Sequence, residues 1–295
     1  MQLRANGITL EVESFGPATG EPLLLIMGLG MQLLAWHEDF VQDLVATGFR
    51  VIRFDNRDVG LSQSFDAEGL PHIGLESVKY LLHMAVKSPY SLADMALDCV
   101  GLLDALGIAS AHVCGASMGG MIAQQLAARH PGRVKSLTLM MTTSGARALP
   151  GPSMKVRSAL MARPPANDHA AVVASYVKLY QLIGSPAYPN DPEVLRQRID
   201  RIVRRSHRPQ GTMRQLMAIA ADGDRSALLA QIKAPTQIIH GQADPLVPVA
   251  AGHDLARKIA GSRLDLIDGM GHDLPPALWP RFIANIRTAA ARAAG

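Results

Sequence analysis

The chain is poor in cysteine, with two among 295 residues, and poor in aromatic side chains, at 4%. Cys99 and Cys114 have no second cysteine or histidine at metal-ligand spacing, so neither a zinc site nor a disulfide framework is expected. Both fall on apolar positions and read as small buried hydrophobes of a reduced compartment. The most apolar run, PLLLIMGLGMQLLAW, carries two glycines and is shorter than a membrane span. The opening MQLRANGITLEVESFG has no basic segment leading into an apolar one, so no secretory signal is expected. A cytoplasmic location with no membrane partner follows as the expectation. Internal repeats and low-complexity segments are missing too.

Negative charge is in short supply: the net charge is +4 and the pI about 9.2. The excess sits in LRQRIDRIVRRSHRPQGTMR, residues 195–214. Leu195, Ile199, Ile202 and Val203 recur there at helical spacing, which puts the arginines on the opposite, solvated face. The segment has no aromatic residue for base stacking, so no nucleic-acid partner is expected.

What the chain has in quantity is short apolar runs. QLRA and ITLEVESF flank Asn6-Gly7, a pair suited to a type I′ hairpin turn. Then come PLLLIM (22–27), FRVIRFD (49–55), AHVCGA (111–116), SLTLMM (136–141), TQIIHG (236–241) and RLDLID (263–268), separated by helical patterns. Such alternation predicts an α/β fold with a mostly parallel central sheet flanked by helices. One helix is predicted to start at Ser91 as N-cap with Asp94 at N3, and to stop at Gly107. Between residues 145 and 225 the strand rhythm stops, and four helical patterns follow one another between proline clusters, with Asp191-Pro192 opening one of them. The expected organisation is a core domain of residues 1–144 and 226–295 interrupted by a helical cap of residues 145–225.

Gly115-Ala116-Ser117-Met118-Gly119 fits G-x-S-x-G between a predicted strand and a predicted helix. A serine hydroxyl needs a base to become a nucleophile, and the base needs an acid to orient it. Asp244, after TQIIHG, and His272, after RLDLID, supply both in the order serine, acid, histidine. Loops at the carboxyl ends of parallel strands share one edge, so the three residues can converge. Of the ten histidines only His253 and His272 follow Asp244, and His253 falls inside a helical run. Asp222 and Asp224 precede the relevant strand, and Asp268 is too close to His272 in sequence to reach its ring. The backbone N–H groups of Met118 and of Leu29, in MGLG, are the candidates for an oxyanion hole.

On these residues the chain resembles the α/β-hydrolase fold superfamily over essentially its whole length. Within it, Met27-Gly28 followed by Trp36, the DNRDVGLS stretch (55–62), SMG and GMGH resemble bacterial ester hydrolases related to aclacinomycin methylesterase. That resemblance implies carboxylic ester hydrolysis through an acyl-enzyme, with no metal and no organic cofactor. Many superfamily members have His-Gly where this chain has Met27-Gly28. Ser117 argues against haloalkane dehalogenases and epoxide hydrolases, which use aspartate. Asp273, where ring-cleavage C–C hydrolases often have tryptophan, weakens that alternative; lactone hydrolysis, perhydrolysis and a non-catalytic ligand-binding role remain as others. The expected partner is a small apolar ester of short to medium acyl length. Methionines gather near predicted strand ends, so Met27, Gly28, Gly30, Met140 and Met141 are the expected pocket residues.

Overall fold

The computed structural model describes residues 1–162, 165 and 167–293. Strands β1 (Gln2–Ala5) and β2 (Ile8–Phe15) form the expected hairpin. Asn6 and Gly7 make its turn with φ of 49° and 77°, the paired positive values of a type I′ turn. There follow β3 (Glu21–Ile26), α1 (Glu38–Ala46), β4 (Phe49–Phe54), α2 (Ile73–Leu81), α3 (Leu92–Ala105), β5 (Ala111–Ala116), α4 (Met118–Arg129) and β6 (Val134–Met140). Four helices then intervene: α5 (Met154–Leu160), α6 (His169–Ile183), α7 (Pro192–Arg205) and α8 (Pro209–Asp222). After the short α9 (Ser226–Leu229) the chain returns as β7 (Thr236–Gly241), α10 (Ala250–Lys258), β8 (Arg263–Ile267) and α11 (Trp279–Ala291).

The eight strands form one sheet in the order β1-β2-β4-β3-β5-β6-β7-β8. Pairings are antiparallel at β1/β2 and β2/β4 and parallel from β4 to β8. Alternation of side chains along each strand sorts the core into two layers. Leu24 and Ile26 point to the layer filled by α3, α4 and α10, whereas Leu23 and Leu25 point to the layer filled by α1 and α11. Both strand faces are therefore buried, which is why the runs read apolar at nearly every position. Cys99 and Cys114 are buried free thiols in this core.

Helix α3 starts with a capping box between Ser91 and Asp94, and Gly107 follows it with φ of 68°. Helices α6 and α7 share a small apolar cluster of Val172, Val173, Leu195, Ile199 and Val203. Of the seven arginines of 195–214, Arg196, Arg201 and Arg204 are exposed, in line with the expected solvated face, and the other four depart from it. Arg198 donates to the Ala35 carbonyl, Arg205 to Asp55 and Gln32, Arg208 to the Ser62 carbonyl, and Arg214 is fully buried against Asp58. Their long side chains satisfy acceptors in the loops that follow β3 and β4. Helix α2 has no counterpart among the expected elements. Leu75, Val78 and Leu81 on it are exposed, against the burial rule on which a periodicity reading depends.

Candidate active site

Ser117 occupies the turn between β5 and α4 with φ 54° and ψ −121°. A non-glycine residue held there costs on the order of 1–3 kcal/mol. Its surroundings hold it in place: the Ser117 N–H donates to the Met140 carbonyl at 3.0 Å, and its carbonyl accepts from Gly120 N–H at 2.9 Å and Thr142 Oγ1 at 2.7 Å. The flanking glycines are there because backbone lies where a side chain would be. A Cβ on Gly119 would sit 2.0 Å from the Ile26 carbonyl oxygen, and one on Gly115 2.3 Å from that of Gly119. The turn lifts Ser117 to the sheet edge, where it is partly exposed.

Asp244 lies just beyond β7. Its Oδ1 accepts from the N–H groups of Leu246 at 2.9 Å and Val247 at 2.8 Å, which leaves Oδ2 free for a partner. That partner is His272, beyond β8, whose Nδ1 is 2.7 Å from Oδ2. On the other side of the ring, Nε2 is 3.0 Å from Ser117 Oγ. A carboxylate only accepts, so Nδ1 carries the proton and Nε2 presents a lone pair to the hydroxyl. Asp244 and His272 are 5% and 8% exposed, so water competes little for the pair. Behind them His240 donates through Nε2 to the Val247 carbonyl at 2.8 Å, and burial lowers its pKa. The rival residues lie elsewhere: Asp222 pairs with Arg225, Asp224 with Ser226, and His253 and Asp268 are exposed.

The loop after β3 packs on the serine, since a Cβ on Gly28 would lie 3.1 Å from Ser117 Cβ. Neither Leu29 N–H nor Met118 N–H has an acceptor among the described residues. The loop is tied down by polar side chains: Asn56 Nδ2 donates to the Met27 carbonyl at 2.9 Å, and Gly30 N–H donates to Gln215 Oε1 of α8 at 2.8 Å. DNRD is a set of buried braces. Asp55 accepts from Leu33 N–H and Leu61 N–H, Arg57 pairs with Asp98, and Asp58 pairs with Arg214 and accepts from Tyr90. Gln215 carries no distinctive sequence signal, because the buried side of α8 also holds the charged Arg214.

A narrow cavity of about 30 Å³ lies between the inserted helices and the loops after β3 and β4. Gly30, Met31, Val59, Tyr176, Tyr180 and His207 are among its lining residues. Of the five expected pocket residues, only Gly30 lines it. Met27, Met140 and Met141 are 5%, 0% and 3% exposed and pack in the core layer with Trp36 and Trp279. Strand-end methionines here fill gaps beneath the site, as close packing demands. Gly28 lies against Ser117 itself. Among the described residues no group of three or more His, Cys, Asp or Glu is arranged to hold a metal ion. No helix among them is long and apolar enough to cross a membrane.

A family model described as the α/β hydrolase fold matches residues 21–275, and the chain belongs to that family. It is 30% identical to rhodomycin D methylesterase DauP from Streptomyces sp. (strain C5), over 95% of this chain and 94% of that one. Rhodomycin D methylesterase DnrP from Streptomyces peucetius matches at the same identity and coverage. Among solved structures, the enol-lactonase from Burkholderia xenovorans LB400 superimposes with a TM-score of 0.69 at 26% identity, covering 99% of this chain and 96% of that one.

Proposed function

We propose that this carboxylic ester hydrolase works through a covalent acyl-enzyme, with Ser117 as nucleophile, His272 as general base and acid, and Asp244 as the group that orients and charges the imidazole. The carrying observation is the unbroken contact from Asp244 through His272 to Ser117, at 2.7 Å and 3.0 Å. His272 takes the Ser117 proton as Oγ attacks the ester carbonyl, and Asp244 stabilises the imidazolium. The oxyanion is received by the N–H groups of Leu29 and Met118, each worth about a hundredfold to a thousandfold in rate. His272 then protonates the departing alkoxide, and water, activated by the same ring, releases the acid.

The helices of residues 145–225 act as a cap over this edge, and the ester lies in the cleft beneath them. On this reading the acyl group is short or medium and weakly charged; the cavity of about 30 Å³ beside Tyr176, Tyr180 and Met31 has room for roughly one or two waters and is lined by none of Ser117, Asp244 and His272, so it does not set the acyl length. A lactone, which is an internal ester, is a second substrate class; the 26% identical enol-lactonase favours it. The test is a fluorophosphonate probe with a panel of aryl esters and lactones. A stoichiometric adduct on Ser117 and fastest turnover of acetate to octanoate esters are expected. No adduct would overturn the acyl-enzyme, and fastest turnover of palmitate would overturn the acyl preference.

A further inference from the structure

His272 is seated on the insertion as well as on the sheet. Its backbone N–H donates to the Ile183 carbonyl, at the end of α6, at 2.7 Å. The Ala187 N–H reaches the Gly269 carbonyl at 3.1 Å, and the Gly271 N–H donates to Ser185 Oγ at 2.9 Å. Contact is so close that a Cβ on Gly271 would lie 2.4 Å from the Gly184 carbonyl oxygen. The residue after the histidine, Asp273, closes this seam. Ser185 Oγ donates to its Oδ1, and Asn190 Nδ2 donates to its Oδ2 at 2.9 Å.

Ser185 accepts from a backbone N–H, so its own proton is directed at Asp273. Both oxygens of Asp273 are therefore acceptors, the pattern of a carboxylate. The side chain is 7% exposed, and burial raises its pKa while the donors oppose that. The titratable groups that face it are His272 on its own loop, Tyr180 from α6 and Arg198 from α7.

We infer that Asp273 is a positioning residue, which with Ser185 and Asn190 fixes the His272 loop to the α6–α7 connection and makes that part of the insertion a support for the imidazole. The inference rests on the acyl-enzyme reading above.

The experiment measures Asp273→Asn, Ser185→Ala and Asn190→Ala on an aryl acetate, with competent sites counted by fluorophosphonate titration and Ser117→Ala alongside. For Asp273→Asn, kcat per titrated site should fall about tenfold to a hundredfold with KM little changed, because a misplacement of ~1 Å costs on the order of 10²-fold. Ser185→Ala should show a smaller loss of the same kind, and it carries the test with Asn190→Ala if Asp273→Asn does not fold. Fewer titratable sites with unchanged kcat per site would overturn the inference and leave the triad standing. Turnover surviving in Ser117→Ala would remove the triad and this inference with it.

Discussion

The sheet and the helices between β6 and β7 are held by different forces. The sheet is gripped by two large apolar layers in which Leu23, Leu25, Leu24 and Ile26 are at most 1% exposed. The insertion has one small apolar cluster on α6 and α7. It meets the core through Ala218 and Ile219 of α8, which join one apolar layer, and otherwise through polar tethers: Arg205 to Asp55, Arg214 to Asp58, Gln215 to Gly30 and Gln32 to the carbonyls of Ile202 and Ser206. Apolar layers are insensitive to direction, whereas charge-assisted hydrogen bonds fix orientation and fail sharply when one partner is lost. On the proposed reading, Ser117, Asp244 and His272 thus sit on the part that tolerates little movement, and the walls of the proposed cleft sit on the part whose placement depends on a few side chains.

The sharpest way to break that contrast is Asp244→Asn. It should lower kcat by about ten-thousandfold by leaving the imidazole in the wrong tautomer, and the urea midpoint should hardly move. A loss below tenfold would mean that the sheet edge does not carry the chemistry. Next comes Arg214→Met, which strands Asp58 in the interior. Breaking a buried pair costs about 3–5 kcal/mol, and urea unfolding measures it. KM is expected to rise more than kcat falls, because the tether is to the cleft wall. An equal loss in both would show that α8 and the reacting atoms move as one.

Near neutral pH the smallest effect concerns His37, where α1 begins, beside Trp279 of α11. Burial, with the nearby Arg198 guanidinium of α7, holds its pKa down to about 3. The unfolded chain binds a proton near pH 6.5 and the folded one does not. Stability from this group is thus complete above about pH 6.5 and is lost as pH falls toward 3. In His37→Phe the acid limb of the stability curve should be shallower over that window. An unchanged limb would assign acid sensitivity to other groups.

Much of this architecture is legible in the residues, and the illegible remainder has a common cause. The inner parallel strands announce themselves as apolar runs because both of their faces are covered, whereas the edge strand β8 is largely half-buried and carries Arg263 and Asp265. Asn6-Gly7, Ser91 with Asp94, and Asp191-Pro192 mark turns and caps through local chemistry, and the structure places a turn or cap at each. The order of Ser117, Asp244 and His272 is likewise readable, since each follows a strand. What escapes is anything decided by partners far along the chain. Gln215 and Asp273 look like ordinary polar residues until the loop after β3 meets the one and the α6–α7 connection meets the other. Met27, Met140 and Met141 lie near strand ends as a pocket reading requires, yet the neighbouring layer closes over them.

The hydrogen bond from His272 to Ile183 has a consequence for engineering by exchange of parts. A chimera that trades all of residues 145–225 for the helices of another hydrolase would also remove the shelf beneath His272. Splices that keep residues 183–190 with the host and graft only the flanking helices should give recipients that retain turnover while acquiring the donor's selectivity.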